Sequence, residues 1–183
     1  MHPKTHKTAV VLIPPEEVWA PIQRIRREHD KQFRRWMPHI TLVYPFRPAG
    51  QFDSLLSELA RACKTTEPFE LELAEFRWFA HSKTRFTIWL APEPAEAIRK
   101  LQACIQPVVP DCDDVTRFAG GFTPHLSVGQ AESRRDLKEL VGSLQSAWQP
   151  MGFPAMEIGL ISRGNPPDDI FSLVHTMKLG RTN

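Results

Sequence analysis

The strongest constraint on this chain is a short pattern, Pro-His-x-Thr/Ser-x, that occurs twice. It reads Pro-His-Ile-Thr-Leu over residues 38–42 and Pro-His-Leu-Ser-Val over residues 124–128. Because side chains alternate along a β-strand, each histidine and the hydroxyl two residues later project from one face, while the apolar residues between them anchor the other. A proline before the histidine is typical of the first residue of a strand. The pattern therefore predicts two strands that each present an imidazole and a hydroxyl together.

The elements around the two patterns follow the same order, which predicts an internal duplication. Shifting the chain by 86 residues lays His39 on His125, and the helix that begins at Phe52 on the one that contains Leu140. We expect an α+β fold in which two pseudo-symmetric lobes of antiparallel sheet, flanked by helices, surround a central cleft. Residues 1–183 would then form a single bilobal domain whose halves run roughly 8–80 and 84–180.

The spacing of apolar residues predicts the individual elements. Alternation or a short apolar run predicts strands at residues 8–13, 39–44, 69–73, 86–90, 125–129, 156–160 and 171–179. Helical spacing predicts amphipathic helices at residues 19–30, 52–63, 95–105 and 134–148. The predicted order is strand, helix, strand, helix, strand, twice, followed by one extra strand.

Composition restricts the classes of partner. Lys plus Arg number 23 and Asp plus Glu number 21, a net charge of +2, so any nucleic-acid site must be local. Three cysteines without a CxxC pair offer neither a disulfide framework nor a zinc ribbon. The apolar run at residues 9–13 ends at a double proline and is too short for a membrane span or a signal peptide. We expect a cytoplasmic monomer that acts away from membranes.

Two such strands that meet across a cleft would form a phosphodiester site. A neutral imidazole can take a proton from the attacking oxygen, while an imidazolium gives one to the leaving oxygen, because the histidine pKa lies near 6.5. The hydroxyls of Thr41 and Ser127 can donate to the phosphate oxygens on which negative charge grows. This chemistry needs no metal, so we expect no cofactor.

At these motifs the sequence resembles the two-histidine (2H) phosphoesterase superfamily, and more closely its 2′-5′ RNA ligase / RNA 2′,3′-cyclic phosphodiesterase branch. Residues 35–42 are similar to the first family motif, residues 122–129 to the second, and residues 87–90 to the strand before the third helix. The resemblance spans nearly the whole chain. It implies two lobes around a cleft and a reaction that opens a ribose 2′,3′-cyclic phosphate to a 2′-phosphate, with 2′-5′ RNA ligation as a further expectation.

The resemblance also implies a role for each histidine. His39 would be the proton donor to the leaving oxygen, and His125 the proton acceptor that activates water. Ser127 stands where many members carry threonine, and either hydroxyl can donate. The substrate would be an RNA end or a nucleotide cyclic phosphate.

Three further residues are candidate substrate contacts. Arg85 and Trp89 alternate with apolar residues along one strand, so Arg85 could contact phosphate while Trp89 or Phe122 stacks on a base. A basic run at residues 24–35 carries six cations and could follow an RNA backbone or form a solvated helix face.

Other functions remain open on the sequence. The alternatives are a non-catalytic nucleotide- or RNA-binding module of the same fold, and a phosphodiesterase for 2′-5′ oligonucleotides or ADP-ribose cyclic phosphate. The intact pair of histidines favours an enzyme, because a module that only binds has no use for two titrating imidazoles.

Overall fold

The computed structural model describes residues 3–180, which form eight strands, four α-helices and several short 3₁₀ turns. The strands are β1 (Thr8–Leu12), β2 (Ile40–Val43), β3 (Phe69–Ser82), β4 (Arg85–Glu93), β5 (Leu126–Ala131), β6 (Met151–Ala155), β7 (Glu157–Ser162) and β8 (Ser172–Lys178). The helices are α1 (Trp19–His29), α2 (Phe52–Cys63), α3 (Ala95–Ile105) and α4 (Arg134–Ala147).

The strands form two antiparallel four-stranded sheets, in the orders β2-β1-β7-β8 and β5-β4-β3-β6. With helices beside both sheets, the predicted α+β class is confirmed. β3 pairs with β4, and β7 pairs with β1, so both sheets combine strands from the two halves of the chain: β7 and β8 join β1 and β2, and β3 joins β4, β5 and β6. The proposed boundary at residues 80–84 lies inside the β3–β4 hairpin. The duplication stays a prediction, and its halves do not coincide with the two sheets.

The prediction of two closing strands after α4 is wrong, because there are three. The additional strand is β6, Met-Gly-Phe-Pro-Ala, whose glycine and proline are unfavourable in a strand interior. β6 is an edge strand of its sheet, where proline costs no ladder hydrogen bond on the open side. Only its pairing with β3 therefore makes this segment a strand.

The main core lies on the helix-covered faces of both sheets and forms one continuous cluster. On the other face of the first sheet, Ala9, Val11, Ile161 and Phe171 form a second, small cluster. α1 packs against β5, which links the two halves of the chain. A Cβ at Gly129 would lie 2.8 Å from the Cβ of His29, so this close approach requires glycine. None of the helices within residues 3–180 combines the length and hydropathy needed to span a membrane.

The strands that follow the two histidines lie at the edges of their sheets and contact each other. β2 is an edge strand of one sheet and β5 an edge strand of the other, and the two strands are spatial neighbours without forming a common ladder. This contact brings the two Pro-His-x-Thr/Ser-x segments together.

Candidate active site

The two histidines make the same hydrogen bond in both lobes. His39 Nδ1 lies 2.7 Å from the Met37 carbonyl oxygen, and His125 Nδ1 lies 2.8 Å from that of Thr123. A carbonyl only accepts, so Nδ1 carries the hydrogen in each ring. Nε2 of each ring is therefore the nitrogen that can take or give a proton.

The two hydroxyls lie on the same faces as their histidines, as the alternation predicts. Thr41 pairs with Val11 of the small cluster, so His39 and Thr41 project from the face opposite the main core. Ser127 pairs with Trp89 on β4. All four polar residues of the motifs are largely buried but keep some exposed surface, while Ile40, Leu42, Leu126 and Val128 are fully buried.

Aromatic rings hold each imidazole, but in different arrangements. The indole of Trp36 stacks on His39, with ring centroids 4.6 Å apart and an interplanar angle of 15°. His125 instead meets Phe79 at 4.9 Å and nearly at a right angle, with Trp89 5.9 Å away. The contact between Phe79 and His125 has no signal in the local sequence, since only the β3–β4 pairing brings Phe79 to the second motif.

The basic run at residues 24–35 is largely ion-paired. Arg26 is 2% exposed, binds Asp30, and donates to the Trp36 carbonyl at 2.9 Å. Arg34 and Arg35 share the carboxylate of Asp169, and Lys31 pairs with Glu132. Four of the six cations therefore form ion pairs around the segment that leads into His39, a structural role different from both an RNA contact and a solvated helix face.

Burial lowers the pKa of both histidines. Burial brings the pKa of His39 to about 4. The charges of Arg26 and His125 lower this pKa further, whereas the hydrogen bond to the Met37 carbonyl and the charge of Asp30 raise it. The pKa of His125 is also lowered by burial, against the hydrogen bond to Thr123. Because the charge of one ring acts on the pKa of the other, the two histidines belong to a single electrostatic environment.

The lowered pKa of His39 predicts an acid-dependent loss of stability. The unfolded chain protonates this histidine near pH 6.5 and the folded chain only near pH 4, so the unfolded state binds more protons between these values. The free energy of unfolding must then fall as pH decreases through that window. We expect wild type to lose about 3 kcal/mol relative to His39→Gln between pH 7 and pH 4. Urea unfolding of both proteins across this range measures the difference, and a constant difference would contradict the assignment.

The three predicted substrate contacts lie in different places. Trp89 is 5% exposed and packs beside His125. Arg85 is exposed at the other end of β4, where it pairs with Ser82 and lines a shallow groove with Lys31, His81 and Thr87. Phe122 is partly buried against the main core. Trp89 is thus adjacent to the second motif, whereas the roles of Arg85, Trp89 and Phe122 toward substrate stay predictions.

Metal-ligating side chains do not gather at any point in the described part of the chain. Between residues 3 and 180, no group of three or more His, Cys, Asp or Glu side chains is arranged to hold an ion. The cysteines, Cys63, Cys104 and Cys112, are free thiols, two of them buried.

Comparison with protein families gives one match that covers most of the chain. Residues 14–167 match the model of the 2′-5′ RNA ligase superfamily. A Geobacillus kaustophilus protein named "Putative phosphoesterase" is 27% identical over 129 residues, which cover 68% of this chain and 69% of that protein. A Bacillus licheniformis protein with the same description is 25% identical over 140 residues, 76% of this chain and 79% of that one.

Solved structures share the fold. Escherichia coli LigT complexed with 3′-AMP superimposes with a TM-score of 0.65 at 14% identity, covering 98% of this chain and all of LigT. TT0787 of Thermus thermophilus superimposes with a TM-score of 0.63 at 17% identity, covering 96% of this chain and all of that protein. The two-sheet architecture is therefore that of LigT and related phosphoesterases.

Proposed function

Because the chain belongs to the 2′-5′ RNA ligase superfamily, we propose that it is a phosphodiesterase that opens 2′,3′-cyclic phosphates of RNA ends or small nucleotides to 2′-phosphates. The observation that carries the proposal is the matched pair of histidines, each with Nδ1 bound to a carbonyl two residues earlier. This arrangement gives each ring a defined tautomer and reserves Nε2 for the reaction. Two such nitrogens in one electrostatic environment suit general acid–base catalysis.

The reaction can be written with these groups. Nε2 of neutral His125 takes a proton from water as the water oxygen forms a bond to phosphorus. The bond between phosphorus and the ribose 3′-oxygen breaks, and Nε2 of protonated His39 gives that oxygen its proton. The hydroxyls of Thr41 and Ser127 donate to the non-bridging oxygens, on which charge increases in the transition state.

The pKa of His39 adds a requirement to this scheme. With a pKa of about 4, most free enzyme near pH 7 carries a neutral His39, which cannot donate. A bound phosphodiester anion favours the imidazolium and raises its pKa. Substrate binding therefore charges the acid that the reaction uses.

Solved relatives support a nucleotide substrate. Crystal structures of Escherichia coli LigT have been determined with 3′-AMP, with phosphate and with ATP. All three ligands contain phosphate, and two of them are adenine nucleotides. Two imidazoles and two hydroxyls are groups that can bind such a phosphate.

The pH dependence of hydrolysis tests the proposal. For a 2′,3′-cyclic mononucleotide, log kcat/KM and log kcat should both follow bell-shaped profiles, since one histidine must be neutral and the other protonated. The kcat/KM profile reports the free enzyme, whose histidine pKa values are lowered. We therefore expect its maximum at a lower pH than the maximum of kcat. Flat profiles between about pH 5 and 8, with chemistry rate-limiting, would exclude this acid–base pair.

Two controls separate the alternatives. Hydrolysis should continue in excess chelator, because the four polar side chains already supply base, acid and charge stabilisation. Loss of activity with chelator and recovery with added metal would contradict the scheme.

Binding of 2′,3′-cyclic mononucleotides without turnover would favour the binding-module alternative. Product isomers resolved by chromatography distinguish 2′-phosphates from 3′-phosphates, and parallel assays with 2′-5′ dinucleotides and ADP-ribose cyclic phosphate compare the remaining substrate classes.

A further inference from the structure

Two cations lie opposite each other beyond one end of the β1–β7 ladder. The ladder ends at the pair Thr8–Ser162, and pairing continues one residue further, where the Arg163 amide donates to the Lys7 carbonyl at 2.9 Å. Side chains two residues apart along a strand share a face, so Arg163 projects from the same face as Ile161, where it lies over Phe171. That face carries the small cluster and, through the Val11–Thr41 pair, also Thr41 and His39. The Lys7 side chain reaches the loop that follows Arg163, at Asn165.

No carboxylate neutralises this pair within residues 3–180. Lys7 Nζ donates to the amide oxygen of Asn165 at 2.6 Å, and Arg163 Nη1 reaches the Gly164 carbonyl at 3.3 Å. Asp169, on the same loop, is bound by Arg34 and Arg35 instead, and the exposed Asp168 forms no ion pair with either cation. Arg163 Nε is buried without an acceptor. Like charges directly opposite in a sheet destabilise it, and a bound anion would offset that cost.

A continuous stack of side chains connects Arg163 with His39. The guanidinium of Arg163 lies over the Phe171 ring at 5.4 Å, Phe171 stacks on Trp36 at 3.8 Å, and Trp36 stacks on His39 at 4.6 Å. Tyr44 meets the edge of Trp36 at 5.5 Å. Burial raises the pKa of Tyr44, and the charges of Arg163 and Arg35 oppose that effect, so this hydroxyl lies within their field.

We propose that Lys7 and Arg163 bind a backbone phosphate of an RNA strand whose terminal cyclic phosphate reacts at His39 and His125. This inference rests on the proposed function and specifies its substrate class as an oligonucleotide end. Phe171 and Trp36 separate the cations from His39, so the anchored phosphate and the reacting phosphate belong to different nucleotides. Lys and Arg supply most contacts of proteins to nucleic-acid phosphates. With a total charge of only +2, the chain depends on such a local pair.

The test compares a short and a long substrate with one double variant. Wild type, Lys7→Gln/Arg163→Gln and the charge-matched control Arg99→Gln/Lys100→Gln are assayed on 2′,3′-cyclic AMP and on a tetraribonucleotide that ends in a 2′,3′-cyclic phosphate. Arg99 and Lys100 are exposed on α3. We expect the Lys7/Arg163 variant to lose about tenfold in kcat/KM on the tetranucleotide, with the mononucleotide rate within about twofold of wild type. The slope of log kcat/KM against log salt should become shallower by about 1 for the tetranucleotide.

Equal losses on both substrates, or equal losses in the control, would overturn the inference while leaving the proposed function intact. Fluorescence anisotropy of a labelled tetraribonucleotide with a 3′-phosphate provides a readout that does not need turnover. If wild type hydrolyses neither substrate, the proposed function fails. The binding measurement still tests the phosphate site in that case. Weaker binding by the Lys7/Arg163 variant but not by the control supports this site, and equal binding by all three proteins rejects it. Removing the opposed charges should leave Tm unchanged or higher, which separates lost binding from lost folding.

Discussion

Replacing either His39 or His125 by alanine is expected to lower kcat/KM about 10²- to 10⁴-fold, the usual contribution of a positioned acid or base. The double variant should lose far less than the product of the two single losses, because an acid and a base that act in one step are not independent. His175→Ala is the matched control, since this histidine lies on β8 beside Asp53 and Phe52 and takes no part in the proposed site. Near-full activity of either single variant would contradict the assignment.

A substrate with a better leaving group separates the two roles. An aryl phosphodiester needs little protonation of its leaving oxygen, so it should largely restore the rate of His39→Ala and leave His125→Ala impaired. Restoration of His125→Ala instead would keep the acid–base pair and reverse its roles. This comparison is needed because the limbs of a pH profile belong to the coupled pair rather than to one residue.

Arg26→Ala is expected to lower the free energy of unfolding by about 3–5 kcal/mol, the usual cost of removing one partner of a buried ion pair. The Arg26 and Asp30 side chains are only 2% and 3% exposed, so the alanine would leave the carboxylate buried without its cation. The Trp36 carbonyl would also lose its donor. Urea unfolding at neutral pH measures the effect, with the exposed Arg24→Ala as a control expected within about 0.5 kcal/mol of wild type.

A charge-neutral replacement tests the cause of that loss. Arg26→Met combined with Asp30→Asn removes both charges while the amide oxygen can still accept from the Gln32 amide and from Gln130, as Asp30 does now. We expect this double variant to be clearly more stable than Arg26→Ala. An equally unstable double variant would mean that the Arg26 hydrogen bonds, and not the unpaired charge, account for the loss.

Local patterns were sufficient for most elements and for the side of the strand on which each motif residue lies. α3 begins and ends where the apolar spacing predicts, and α1 and α4 extend to within one residue of the predicted ends. The alternation in residues 38–42 and 124–128 placed each hydroxyl on the face of its histidine, and Ile40 and Val128 in the core. Such features depend on residues within a few positions of one another, so a single sequence contains them.

The surroundings of the histidines could not be predicted in the same way. Phe79 meets His125 because β3 pairs with β4, and Phe171 meets Trp36 across 135 positions of sequence. Arg26 belongs to the basic run at residues 24–35, but its spacing of four from Asp30 places both side chains on one face of α1. The amphipathic pattern of that helix is ambiguous, because nothing in the local sequence shows that a charged pair is buried.

The sequence by itself determined the four helices, seven of the eight strands and the two His-x-Thr/Ser faces, because side-chain alternation and helical spacing are properties of neighbouring residues. Only the tertiary structure decided which strands share a sheet, that the strands after both histidines are adjacent edge strands, and that β6 exists at all. It also decided the lowered pKa of His39 and the opposition of Lys7 to Arg163. Burial and strand pairing depend on residues that are distant in the chain. The contacts between these residues exist only when strands from both halves of the chain have paired in the same sheets.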